Sequence, residues 1–314
     1  MNRRIFLSAA AGATLSSAAD TPVPILDTHI HLFDPRRPQG IPWPPKDNKK
    51  LYMPSLPDRY KKLVAPLGVV GAIKVEASPW VEDNQWVLDL IANEPMIVGV
   101  IGNSEPGSAD FRKNFDRFHK NPLFLGIRYG NLWDRDFHAG IGKAQTITDI
   151  KTLAAAGLTM DTANPNPALI DDLIRLTDKV PELRLVIDHL PKLDPPADAA
   201  GRKAYEVNLE KFRKRPNVYV KLSAVLRDVK GKVPTDLGFY KATIDQLFDV
   251  FGENRVLFGS DFPNSDNVAD YKAVLTIVQQ YFAGKSQAQR EKYFWKNSVT
   301  AYHWKKRAAN QPTL

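Results

Sequence analysis

Two histidines one residue apart, His29 and His31, follow an apolar run and an aspartate in Asp27-Thr28-His29-Ile30-His31. Side chains at i and i+2 of a strand share a face. The pair is therefore expected to point one way, with Asp27 joining it further down. His189 ends the run Leu185-Val186-Ile187-Asp188, and Asp261 ends Val256-Leu257-Phe258-Gly259-Ser260. A polar side chain at the end of an apolar strand either reaches a solvated mouth or costs desolvation energy. Three imidazoles and one carboxylate from three strands form a donor set suited to zinc-like ions, or to activating water without one. By the same alternation Asp188 is expected to face outward, toward the helices. His119 and His303 stand in amphipathic, helical contexts and read as packing or surface residues. His138, after the fourth strand, is left open between a site role and a surface one.

Elements able to position these residues recur along the chain. Short β-branched runs are expected as strands at Ile25–His31, Ala72–Ala77, Ile97–Ile101, Leu125–Tyr129, Leu158–Asp161, Leu185–His189, Val218–Leu222 and Val256–Ser260. Amphipathic stretches such as Leu169-Ile170…Leu173-Ile174…Leu176 separate them. Eight alternations predict a single-domain α/β protein, a closed (β/α)8 TIM barrel, with the chemistry at the C-terminal ends of its strands. An open doubly wound sheet would carry a glycine-rich phosphate turn after the first strand, where this chain has histidines and an aspartate. The long proline-rich loop Asp34–Pro57, with Trp43 and Tyr52, leaves the first strand and is placed to cover the mouth. The aromatic-rich tail Gln289–Trp304 is expected as an extra helix against the outside of the barrel.

The chain of 314 residues contains no cysteine, which removes disulfides, thiolate ligands and a cysteine nucleophile. Its net charge of +8 is scattered rather than gathered, which argues against a nucleic-acid partner and for a small anionic or hydroxylated one. No stretch approaches the roughly 18 apolar residues of a membrane span. Residues 1–19 read as a separate leader. Arg3-Arg4-Ile5-Phe6-Leu7, a weakly apolar Ala/Gly/Ser/Thr run and Ser17-Ala18-Ala19 fit a twin-arginine signal peptide. The implied partner is the twin-arginine translocase and the destination periplasmic or extracellular. The barrel would then occupy residues 20–314.

Over about residues 24–304 the sequence resembles the amidohydrolase superfamily (amidohydrolase-related family 2), in the branch of 2-pyrone-4,6-dicarboxylate and sugar-acid lactonases. The resemblance is carried by Asp27-Thr28-His29-Ile30-His31 with Asp34-Pro35, Glu76-Ala77-Ser78 with Asp83-Asn84, and Gly126-Ile127-Arg128. It continues through Asp188-His189-Leu190, Lys221-Leu222-Ser223, Gly259-Ser260-Asp261-Phe262-Pro263-Asn264 and Asn297. It implies a catalytic centre of His29, His31, His189 and Asp261, the same four being candidate metal ligands. Substrate contacts are implied at Ser78, Arg128 and Asn264, with basic positions at Lys192 and Arg227. Pro191 and Ala224 stand where the family often has glycine.

Two-metal members of the superfamily use a bridging lysine or glutamate after strand four and a histidine after strand five. This chain has Arg128 and Asp161 there. At most one divalent ion is expected, with a metal-independent site as the alternative. Lactone hydrolysis needs activated water, a stabilised oxyanion and a proton for the leaving oxygen. Asp261 can move the proton, the histidines can stabilise the oxyanion or hold the ion, and Arg128 can grip a carboxylate through its fork. A decarboxylase or hydratase on the same barrel, or a non-catalytic exported binding protein, are the other readings.

Overall fold

A computed structural model describes residues 22–192 and 196–314, and the expected leader lies outside them. The strands are β1 (Ile25–Ile30), β2 (Val69–Val75), β3 (Ile97–Asn103), β4 (Phe124–Arg128), β5 (Thr159–Thr162), β6 (Arg184–Ile187), β7 (Val218–Leu222) and β8 (Val256–Phe258). They pair in parallel in sequence order, one after the next, with helices between them. That is the (β/α)8 barrel the alternation predicts. The helices follow local rules. Pro167–Lys179, for example, has proline in its first turn, and the Asn166 side chain accepts from the Leu169 amide at 2.8 Å. Its Leu169, Ile170, Leu173, Ile174 and Leu176 are all buried against the sheet.

The seam between β1 and β8 closes at the C-terminal end of the barrel. The His31 amide donates to the Phe262 carbonyl at 2.7 Å, and the Asp261 amide to the His29 carbonyl at 2.9 Å. The Thr28 hydroxyl adds a bond to the Phe258 carbonyl at 2.6 Å. Closure itself thus brings the first-strand histidines beside Asp261. No further contact is needed to juxtapose them.

Three expectations are corrected. Asp27 does not point with the histidines, because the β1–β2 register shifts between Asp27 and Ile30. Its carboxylate instead accepts from Tyr60, in helix Pro57–Val64, and from Tyr271, in helix Tyr271–Phe282. Asp188 does not face the helices. It follows Val186, two residues earlier, which packs with Leu26, Val98 and Tyr219 inside the barrel; His189, with a left-handed backbone (φ 56°), is the residue that breaks the alternation.

The tail, finally, does more than pack outside. Trp295, Tyr302 and Trp304 join the lumen cluster with Leu26, Val98 and Tyr219. Polar bonds seal this plug against the N-terminal ends of the strands. Arg184 donates to the Ala301 carbonyl at 2.7 Å, Asn297 to that of Val256 at 2.9 Å and Arg307 to that of Ile97 at 2.6 Å.

Candidate active site

His29 lies within β1 and Arg128 ends β4, while His31, His189 and Asp261 sit one to three positions beyond their strands, where the backbone has left the ladder. Asp261 (φ 64°), like His189, adopts the left-handed region that residues other than glycine rarely enter. Such conformations persist when surrounding structure imposes them, and they recur at functional sites. Here each one aims a polar side chain into the mouth.

One oxygen is the focus. Asp261 Oδ1 lies 3.2 Å from His31 Nε2, 3.7 Å from His29 Nε2 and 3.7 Å from His189 Nε2. Its other oxygen accepts from Asn264 Nδ2 at 2.8 Å. Burial pushes the Asp261 carboxyl up, but the imidazoles around it outweigh that and hold it well below the usual carboxylate range. Burial drives the fully enclosed His29 well below the usual imidazole value, against the pull of Asp188, with Lys221 and His189 adding to the depression.

The donor geometry fits a divalent ion. His31 Nδ1 lies 3.1 Å from the Val75 carbonyl, which can only accept, so that nitrogen carries the hydrogen. In the neutral ring, the Nε2 lone pair then faces a carboxylate oxygen at 3.2 Å, an arrangement that calls for a cation, proton or metal, between them. His29 Nε2 is likewise buried with no hydrogen-bond partner. Ligand atoms around a tetrahedral zinc ion lie about 3.3 Å apart, given bonds of about 2.0–2.2 Å. The separations here have that scale.

Above this floor opens a cavity of about 230 Å³, bordered by His31, His189, Asp261, Arg128 and two tryptophans, Trp43 and Trp133. Trp43 comes from the proline-rich loop, which therefore does reach the mouth, and its ring lies 5.3 Å from that of His31. Trp133 donates to Glu76 Oε2 at 3.0 Å. Arg128 is the one lysine or arginine on the cavity wall among the described residues. Its Nε donates to Glu76 Oε1 at 2.9 Å and one terminal nitrogen to the Glu76 carbonyl at 2.7 Å. The other terminal nitrogen stands 3.6 Å from Asp188 Oδ2. Glu76 is 1% exposed, so this is a structural ion pair rather than a fork held open for a ligand.

The remaining sequence-derived positions divide. Asn264 reaches the cavity edge and also holds Asp261. Ser78 is buried off the cavity, its hydroxyl accepting from the Trp80 amide at 3.1 Å. Arg227 lies away from the cavity wall, its guanidinium 5.7 Å from the centre of the Phe239 ring. The side chain of Lys192 lies outside the described residues. His138 is a surface residue bonded to Asp172 at 2.8 Å.

Sequence reasoning placed Trp43 in a loop over the mouth but gave no role to Glu76, Trp133 or the inward Asp188. For Trp133 the available signal was its place in a loop that leaves a strand end. For Glu76 and Asp188 the signal was a charge in an apolar run.

Comparison with known proteins agrees with this geometry. L-fucono-1,5-lactonase of Burkholderia ambifaria is 29% identical over 260 residues, covering 81% of this chain and 87% of the relative. L-fucono-1,5-lactonase of Burkholderia multivorans is 23% identical over 278 residues, covering 86% and 92%. The crystal structure of an amidohydrolase from Burkholderia multivorans with bound zinc superposes with a TM-score of 0.78 at 22% identity, over 90% of this chain and 100% of that one. A family-wide profile described as Amidohydrolase matches residues 26–304, and the chain belongs to that family.

Proposed function

We propose that this protein hydrolyses the lactone of a sugar-derived acid, a neutral, hydroxyl-bearing ring. The observation that carries this reading is the wall of the cavity. Among the described residues it pairs two tryptophans with a single guanidinium, already neutralised by Glu76 and Asp188. Aromatic faces suit the C–H surface of a sugar ring, whereas a dicarboxylated pyrone needs uncommitted cations. The two L-fucono-1,5-lactonases among the relatives support the same substrate class.

The chain's own residues account for the proton movements. Asp261, ionised at the floor, takes a proton from water as the water oxygen attacks the lactone carbonyl. His189 borders the cavity beside it and, with its hydrogen on Nε2, would stabilise the oxyanion. As the tetrahedral carbon collapses, the ring C–O bond breaks and Asp261 returns its proton to the departing alkoxide. Held by His29, His31 and Asp261, whose ligand atoms converge within 4.8 Å, a divalent ion would supply Lewis acidity toward water and the carbonyl oxygen.

The test is a substrate panel run on metal-stripped and zinc-reloaded protein. Neutral aldonolactones should be opened with kcat/KM at least about tenfold above 2-pyrone-4,6-dicarboxylate, and zinc should raise the rate. A preference for the dicarboxylate would overturn the substrate class. Release of carbon dioxide from aromatic acids without ring opening would replace the lactonase reading with a decarboxylase.

The proposal extends to export through the twin-arginine translocase, on the strength of Arg3-Arg4 and the small-residue run to Ala19. Arg3→Lys with Arg4→Lys should leave the protein in the cytoplasm in a fractionation assay. Unchanged secretion would remove the assignment.

A further inference from the structure

Beneath His29 the barrel is filled by charge. Barrel lumens are ordinarily packed by layers of branched apolar side chains contributed by alternate strands. Here β5 and β7, an alternate pair, contribute Asp161 and Lys221, and Asp188 joins them from the end of β6. Lys221 Nζ lies 2.6 Å from Asp161 Oδ2, 2.9 Å from Asp188 Oδ1 and 3.3 Å from His29 Nδ1. Asp188 Oδ1 is itself 3.5 Å from His29 Nδ1. From below, the Tyr302 hydroxyl donates to Asp161 Oδ2 at 2.9 Å, and the ammonium stands 5.5 Å from the centre of the Tyr302 ring. None of these side chains is more than 1% exposed.

A well-packed apolar layer of the same volume is commonly as stable as a buried ionic one, or more so. Stability therefore does not account for charge at this level. Its contact with His29 does. Both neighbours of Nδ1, the Lys221 ammonium and the Asp188 carboxylate, belong to this layer. The nitrogen on the far side of the ring is the one that faces Asp261. Whatever fixes the layer fixes the ring's rotation and which nitrogen bears its hydrogen.

We propose that Tyr302, acting through Asp161 and Lys221, is a positioning residue for His29. Anchored in the C-terminal plug, it sets the active-site imidazole from the opposite end of the barrel. The hydroxyl gives Asp161 Oδ2 a second donor, which keeps that carboxylate in place under Lys221. The ammonium is thereby kept between Asp161 and Asp188, and Asp188 stays against Nδ1. Nε2 is left directed at Asp261. The expected kinetic effect rests on the lactonase reading; the effect on the ring does not.

Tyr302→Phe tests this, because it keeps the ring and its packing and removes one O–H. In protein labelled with 15N at histidine, the His29 ring signals should move while those of His119 and His138 stay. Zinc affinity, measured by competition with a chelating dye, should fall about tenfold, in line with the range of about 10–100-fold seen for groups that orient metal ligands. The kcat for a neutral aldonolactone should fall about fivefold with KM within about twofold. Asp161→Asn should reproduce the ring shift, which guards against poor folding of one variant. A lowered melting temperature with His29 signals, zinc affinity and kcat all at wild-type values would overturn the proposal. If the wild type opens no lactone, the functional reading fails and the ring signals still decide the role of Tyr302.

Discussion

Asp261→Asn is expected to lower kcat on a neutral aldonolactone by roughly 10³-fold, within the range of about 10²–10⁴ for loss of a positioned acid–base group. KM should change by no more than a few-fold, since the tryptophans and the remaining cavity wall are untouched. The substitution keeps volume and one acceptor oxygen, so the seam between β1 and β8, made by the Asp261 amide and the His29 carbonyl, should survive. The Asn264 amide, which now donates to Asp261 Oδ2, can turn its own oxygen toward the new NH2 group. What disappears is the charge among the three imidazoles and the only step that moves the proton from water to leaving alkoxide. The checks are steady-state kinetics with a melting curve. Activity within tenfold of wild type in a folded Asp261→Asn protein would sink the proposed mechanism.

The sequence made visible those features that depend on short range. Eight apolar runs became eight strands because β-branched residues in a parallel sheet are buried on both faces. The polar residues ending three of those runs met at one mouth because barrel closure leaves them little else to do. What escaped depended on backbone bends or distant partners. Asp188 keeps the inward face of Val186; its side was misjudged because alternation was counted from His189, and nothing in Asp-His-Leu-Pro signals that His189 goes left-handed and leaves the pattern. Arg128 looked like a substrate clamp because its partner, Glu76, lies 52 positions earlier, on a separate strand end. The tail's aromatic pattern announced packing but not which end of the barrel it would plug.

Asp27 is the sharpest case, and the second large effect expected is on stability. This first residue of the Asp-x-His-x-His run is completely buried, yet it faces neither His29 Nε2 nor the cavity. Its Oδ2 accepts from Tyr60 at 2.9 Å and Tyr271 at 3.0 Å, and its Oδ1 from the Ser260 amide at 2.9 Å and the His29 amide at 3.1 Å. One carboxylate therefore ties β1 to the bend after β8 and to two outer helices.

Asp27→Ala would strand two amides and one of two tyrosine hydroxyls in a dry site, since the hydroxyls, 3.4 Å apart, can pair with each other. Leaving a buried donor unsatisfied costs about 1–3 kcal/mol. Set against this is the burial that raises the carboxyl's pKa, a desolvation cost the alanine no longer bears. The balance is a loss of roughly 3–5 kcal/mol, the size seen when one partner of a buried polar network is removed. For a chain this long that corresponds to a fall in melting temperature of about 10 °C. Tyr60→Phe and Tyr271→Phe, each removing the bond to Asp27 and the 3.4 Å contact between the two hydroxyls, should cost about 1 kcal/mol apiece. The folded fraction of Asp27→Ala should keep kcat within about an order of magnitude, because Asp261 and the cavity are still present. A protein with wild-type melting and no activity would instead place Asp27 in the chemistry.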